Sequence, residues 1–365
     1  MFKKLGIMLL MIPLFAFTLL GCEPNAAKQS GSEVKGNPDA QPIDGNLTPL
    51  KKEVTVKIAE DGSSSGAGFY VAKEKGYFKD YNINVKFVKF SNSDEMLPAL
   101  ASGQIDVAGG ISSASFFNSI AQGIDVKMIA DKGHNIKGSS YFSFVVRKDL
   151  QDKIKSYKDL KGKKIAVSTK NGVDDYMFQQ MLDHAGLKRS DVKFVLMSDF
   201  GNMIAGLKSG SLDAALQIEP LITQGSAQGV SERLGDATDF APDDQIAMVL
   251  GSPDFVSKED DVALRFMVAY LKGVRAYNDA FVKDKGGKDQ IIDIMTKYTS
   301  LDDKKVWQKV GVPGLDPNGK MNVDDIKNQY EWYKSRGGIE GDVDLKKAVD
   351  TSLTEKAVKI LGEYK

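Results

Sequence analysis

The feature that most constrains this chain is a repeated unit. Met96-Leu97-Pro98-Ala99-Leu100-Ala101-Ser102-Gly103-Gln104-Ile105-Asp106-Val107-Ala108 aligns with Met203-Ile204-Ala205-Gly206-Leu207-Lys208-Ser209-Gly210-Ser211-Leu212-Asp213-Ala214-Ala215, with Met, Leu, Ser, Gly, Asp and Ala recurring in register. Each copy reads as a helix, a glycine placed to close it, and a short apolar strand led in by an aspartate. Strand and helix signals alternate around both copies, the pattern of right-handed βαβ units on a mostly parallel sheet. Two copies at matching places in two such runs predict an α/β chain of two similar lobes.

In the first run the periodicity predicts strands over 54–59, 83–90, 105–108 and 126–130, and helices over 66–75, 93–101 and 112–122. In the second it predicts strands over 163–169, 192–197 and 212–217, and helices over 172–185 and 200–208. Two further β-like stretches, 141–147 and 246–250, read as crossovers. After them come helices over 258–282, 289–298, 302–309, 323–336 and 354–362. A helical tail of this length returns to cover the first lobe. The expected organisation is therefore 53–145 plus 246–365 as lobe 1 and 146–245 as lobe 2, inserted between two crossovers that make a hinge.

The chain has 365 residues, and 49 basic side chains balance 49 acidic ones. That neutrality argues against a nucleic-acid partner, which usually selects a basic excess. A single cysteine excludes a disulfide framework and any zinc site built from several cysteines. With only His134 and His184 besides, no metal site and no cofactor are expected. The cysteine has another use. Lys3 and Lys4 precede an apolar run from Gly6 to Leu20, the anatomy of a secretory signal. The run ends in Leu19-Leu20-Gly21-Cys22, which resembles a bacterial lipobox. The resemblance implies cleavage after residue 21, lipidation of Cys22 and anchoring on the outer face of the cytoplasmic membrane or in the periplasm. Residues 22–52 lack aromatics and read as a flexible tether.

In open α/β sheets ligands bind beyond the carboxyl ends of strands, where helix N-termini point. That rule selects Ser63-Ser64-Ser65-Gly66, Gly109-Gly110-Ile111-Ser112-Ser113 and Lys132-Gly133-His134 in the first lobe. In the second it selects Thr169-Lys170-Asn171-Gly172-Val173-Asp174, Ser198-Asp199-Phe200 and Glu219-Pro220. The candidate ligand contacts are Ser63, Ser64, Ser65, Gly110, Ser112, Ser113, Tyr141, Asn171, Val173, Asp174 and Glu219. Glu219 has two readings: a carboxylate complementing a helix N-terminus, or one facing an amine on the ligand. Arg147, Arg189, Arg233, Arg265, Arg275 and Arg336 all lie outside these loops. An anion would have to rely on helix N-termini, hydroxyls, Lys170 or Lys132, which weakens the case for a bulky or doubly charged anion.

Gly62-Ser63-Ser64-Ser65-Gly66 matches the spacing of a nucleophile elbow. It follows the first strand of its lobe, so no earlier strand supplies an oxyanion loop. A serine hydrolase using Ser64 is the alternative from another class, and no catalytic residue is expected.

Gly68-Phe69-Tyr70-Val71-Ala72-Lys73-Glu74-Lys75-Gly76-Tyr77-Phe78-Lys79 resembles the A-K-E-K-G-x-F signature of solute-binding proteins of ABC importers. The narrower likeness is to the nitrate/sulfonate/taurine and thiamine-precursor group. The repeated L-x-S-G-x-x-D, Gly109-Gly110, Val145-Val146-Arg147-Lys148-Asp149, Glu219-Pro220, Asp316–Gly319 and Val349–Ala357 fit it as well. The resemblance implies a type II periplasmic-binding-protein fold that closes on a small molecule and presents it to ABC permease subunits. The ligand would be of the sulfonate, taurine or nitrate type, or a pyrimidine or aromatic compound. The protein would act as a lipid-anchored monomer without enzymatic activity. A ligand-sensing lipoprotein without a transporter is a further alternative.

Overall fold

The structure is a computed structural model that describes residues 44, 45, 47–137, 142–257 and 259–365. The signal segment, Cys22 and Tyr141 lie outside the described residues. The strands are β1 (Val54–Glu60), β2 (Ile83–Lys89), β3 (Val107–Ile111), β4 (Lys127–His134), β5 (Phe142–Arg147), β6 (Lys164–Val167), β7 (Lys193–Leu196), β8 (Ala214–Ile218), β9 (Ser231–Asp236) and β10 (Gln245–Gly251). They form two five-stranded sheets, ordered β2-β1-β3-β10-β4 and β7-β6-β8-β5-β9.

The two orders are the same pattern. In the first sheet β2, β1 and β3 are parallel and β10 is antiparallel to β3 and β4. In the second, β7, β6 and β8 are parallel and β5 is antiparallel to β8 and β9. Each sheet thus holds four strands that run the same way and one antiparallel crossover strand, in keeping with the mostly parallel sheet that the pattern predicts. The crossovers also hold each other: the Asn135 amide donates to the Asp244 carbonyl at 3.0 Å.

The repeated unit has a physical reason. The helices Ser93–Ala101 and Phe200–Ser209 lead to Gly103 and Gly210, at φ of +71° and +78°, a region open to glycine at little cost. The aspartate that follows ties the strand to its neighbour. Asp106 Oδ2 accepts the Lys57 amide at 2.8 Å, and Asp213 Oδ2 accepts the Lys164 amide at 3.0 Å. The carbonyls of the same aspartates accept Ser252 and Arg147 amides, each at 2.9 Å. Each copy therefore pins the first strand of its lobe and the end of the crossover strand at once.

The helix Leu264–Phe281 buries Phe266, Met267, Tyr270 and Val274 against Phe69 and the first sheet. It begins after a π-turn at Glu259–Ala263, later than the predicted start. Later in the tail, Val323–Ser335 packs Tyr330 on Phe117 of the first lobe and Trp332 on Tyr176 of the second. Three features depart from the sequence reading. Leu50, read as tether, is buried in the core, and Asp44 pairs with Lys272 at 3.0 Å, so packed structure extends back to Asp44. Lys132-Gly133-His134, read as a loop, is the end of β4. The edge strand β9 was not expected, because Ser231-Glu232-Arg233 lacks an apolar alternation.

Candidate functional site

The first lobe places a buried ion pair at the end of its sheet. Glu60 ends β1 and Lys132 lies in β4, with β3 and β10 between them. At about 4.8 Å per strand this is roughly 14 Å of sheet. The two side chains meet above β3, Lys132 Nζ lying 3.2 Å from Glu60 Oε1. Gly109 makes this possible, since a Cβ there would stand 1.8 Å from Glu60 Oε1 and 2.4 Å from Lys132 Cε. Lys132 is 1% exposed and also donates to Ser65 Oγ at 3.0 Å. Ser65 Oγ is 2.9 Å from Ser63 Oγ, and Tyr70 Oη donates to Glu60 Oε2 at 3.0 Å. Burial raises the Glu60 carboxyl to about 7, against the opposing pull of the Lys132 ammonium.

The second lobe supplies the opposite wall. Asp174 sits in the first turn of the helix Val173–Ala185. Its Oδ2 accepts the amides of Ser168 and Thr169 at 3.1 and 3.2 Å and the Ser168 hydroxyl. Its Oδ1 is buried and has no partner among the described residues. Burial pushes this carboxyl up to about 7, with the Ser168 hydrogen bond opposing. Asp174, Thr169, Phe142, Phe200 and Ile218 face Ser63, Ser65, Lys132 and Ile111 across a narrow chamber. Asp61, Ser63, Phe200 and Ile218 also line an outer vestibule that reaches Lys89 and Pro220.

The lobes touch beside the chamber. The Ala114 amide donates to the Asn171 carbonyl at 2.8 Å, and the Val173 amide to the Ser112 carbonyl at 3.2 Å. Ser113 and Gly172 pair as an antiparallel bridge. The Ser64 amide donates to the Glu219 carbonyl at 3.2 Å. This is the geometry of a cleft closed at its rim.

The candidate residues separate into two groups. Ser63, Ser65 and Asp174 line the chamber. Ser112, Ser113, Asn171 and Val173 come together as the backbone contact between lobes. Their side chains serve local structure: Ser113 caps the helix Ala114–Ala121 and donates to Asp94, and Ser112 donates to Tyr333 Oη. Gly110 is packed by Leu250 and Ser93, and its neighbour Gly109 lines the chamber instead. Ser64 is buried off the chamber, its Oγ without a partner among the described residues. Glu219 is 0% exposed and paired with Arg233 at 2.8 Å, so the arginine absent from the loops arrives from β9.

Several lining residues were not among the candidates: Asp61, Asn92, Ser93, Ser168 and Phe142. Ser168 had a usable signal, because it lies at the carboxyl end of a predicted strand just before a helix. Lys132 stood only as one support for an anion. Among the described residues no group of three or more His, Cys, Asp or Glu could hold a metal, and no helix is long and apolar enough to cross a membrane.

Residues 63–280 match the model of a family described as NMT1/THI5 like. A binding protein of Brucella abortus (strain 2308) is 26% identical over 234 residues, which are 64% of this chain and 67% of that protein. The alkanesulfonate-binding protein SsuA from Xanthomonas axonopodis pv. citri, solved with MOPS, gives a TM-score of 0.65, with 17% identity over 82% of this chain and 99% of that one. The periplasmic nitrate-binding protein NrtA from Synechocystis PCC 6803 gives a TM-score of 0.69, with 14% identity over 85% of this chain and 89% of that one. At these identities the solved structures speak to the fold, and the fold is that of periplasmic binding proteins. With its two matching sheets, and with a family model that spans both of them, the chain belongs to the NMT1/THI5-like family.

Proposed function

We propose that this chain is the solute-binding component of an ABC-type importer, which captures a small molecule between its lobes and delivers it to permease subunits. The observation that carries this reading is the chamber, because both lobes line it and only their approach completes it. A ligand that touches both walls favours the closed form by its differential affinity for it. A micromolar solute supplies about 8 kcal/mol for binding and closure together. The binding proteins of sulfonate and nitrate among its structural neighbours support the same class.

In this reading residues 53–145 plus 246–365 form one lobe and 146–245 the other, and the crossovers are the hinge. Cys22 carries the lipid anchor on the outer face of the membrane, and the tether keeps the lobes near the permease at raised effective concentration. The protein acts as a monomer and transforms nothing. The hydrolase reading has little to support it: Ser64 Oγ has no base within hydrogen-bond reach among the described residues. A permease-independent sensor remains the rival within the binding class. Deleting this chain's own gene tests it, since loss of uptake of the solute it binds supports an importer and unchanged uptake a sensor.

A further inference from the structure

The chamber's charges do not balance, and the imbalance points to its solute. The Lys132 ammonium is held by protein groups, 3.2 Å from Glu60 Oε1 as an ion pair and donating to Ser65 Oγ at 3.0 Å. Asp174 has no such cation. It is 1% exposed, and Oδ1 is left without a partner among the described residues. The charged neighbours that act on it most are carboxylates, Asp175 on its own helix and Asp94 on the helix Ser93–Ala101. Tyr333 of the helix Val323–Ser335 feels its charge, and Asp61 and Lys132 stand on the chamber's other wall. A buried carboxylate oxygen without a donor is costly, and the solute is the group free to supply one.

We propose, on the reading that this cleft binds a solute, that the solute carries a protonated or hydrogen-bond-donating nitrogen accepted by Asp174 Oδ1, and that Asp174 selects it over a bare anion. A bare anion would sit beside Asp174 and Asp61 and compete with Glu60 for Lys132. A nitrogen donor meets the orphan oxygen directly. A further N–H of Lys132 is left for an acceptor elsewhere on the same solute, so a zwitterion or an amino-heterocycle fits as well as a simple cation. The rings of Phe142 and Phe200, 6.0 Å apart at 69°, give the nitrogen compound an aromatic wall.

The test is calorimetry with two matched pairs, benzamidine against benzoate and 2-aminoethanesulfonate against ethanesulfonate, at pH 6 and pH 8. Asp174 is mostly protonated at the lower pH and mostly ionised at the higher one. The nitrogen-bearing member of a pair should bind at least tenfold more tightly than its partner, and about tenfold more tightly at pH 8 than at pH 6. Asp174→Asn should abolish the preference for the nitrogen compound and its tenfold gain at pH 8, leaving only the titration of Glu60, also raised to about 7, which acts through Lys132 on both members of a pair. The proposal is overturned if benzoate, ethanesulfonate or nitrate binds while the nitrogen compounds do not. It is also overturned if Asp174→Asn keeps the wild-type preference. The pH dependence of the wild type needs no variant, so a misfolded mutant cannot decide the matter. Binding of anions alone would leave the solute-binding reading standing. That reading fails separately, if solutes bind and scattering detects no closure.

Discussion

Glu219 Oε1 accepts the Gly311 amide at 3.2 Å, which joins the lobe of β8 to the helical tail that covers the other lobe. The same oxygen receives Arg233 at 2.8 Å and the Thr223 hydroxyl at 2.9 Å, while Oε2 receives the Thr223 amide at 3.0 Å. Burial raises the carboxyl's pKa, and these donors oppose it. Glu219 thus links the lobes and does not line the chamber.

Glu219→Gln should lower stability by about 1.5–3 kcal/mol, the range for hydrogen bonds to a charged group. It should weaken every solute by a similar factor, because all of them share the lost link between lobes. Thermal melts and calorimetry over solutes of different charge check this. A loss confined to amines would return Glu219 to the ligand shell.

Gly109→Ala should disable the site. Its Cβ would overlap Glu60 Oε1 and crowd Lys132, at 1.8 and 2.4 Å. Overpacking of this kind costs about 1–3 kcal/mol, and the pair would have to part. Calorimetry should show binding lost while circular dichroism keeps the α/β signature. Unchanged affinity would show that the Glu60–Lys132 pair is dispensable.

Asp174→Asn should change stability in a pH-dependent direction. The folded carboxyl titrates at about 7, above its ordinary value of 3.8. The folded state therefore holds this proton more tightly than the unfolded chain does, and the stability it confers is lost as pH rises across that window. Near pH 4, where the folded carboxyl is protonated and the unfolded one only partly ionised, the solute-free variant should melt close to the wild type. At pH 8 it should melt higher, because the uncompensated charge is gone. A variant that melts relatively lower at pH 8 than at pH 4 would contradict the assignment.

Ser64→Ala should leave solute affinity unchanged and abolish no ester turnover. The hydroxyl is buried with no hydrogen-bond partner among the described residues. Assays of ester hydrolysis and calorimetry on wild type and variant decide it.

The repeat made both lobes legible, since Gly103 and Gly210 close helices and Asp106 and Asp213 pin strands by local chemistry. Helix Ser93–Ala101 was read to its ends for the same reason: Asn92 and the acidic first turn are local signals. The chamber was harder to read. Lys132 lies in a strand whose last residues are polar, so it looked like a loop. Its partner Glu60 is distant in sequence, and their meeting depends on the missing side chain of Gly109. Asp174 was found because helix N-termini are readable. Ser112 and Asn171 were chosen by the same rule, yet their backbones join the lobes, which only the tertiary fold decides. The placement of Arg233 beside Glu219 is not legible in the sequence, because its strand, β9, has no apolar alternation.

The most direct test of the account is small-angle scattering while a solute that raises the melting temperature is titrated in. Closure of the two lobes predicts a radius of gyration that falls, saturating at the concentration where calorimetry saturates, towards the value calculated for this closed arrangement. A solute that binds tightly while the radius of gyration stays constant would contradict capture by lobe closure.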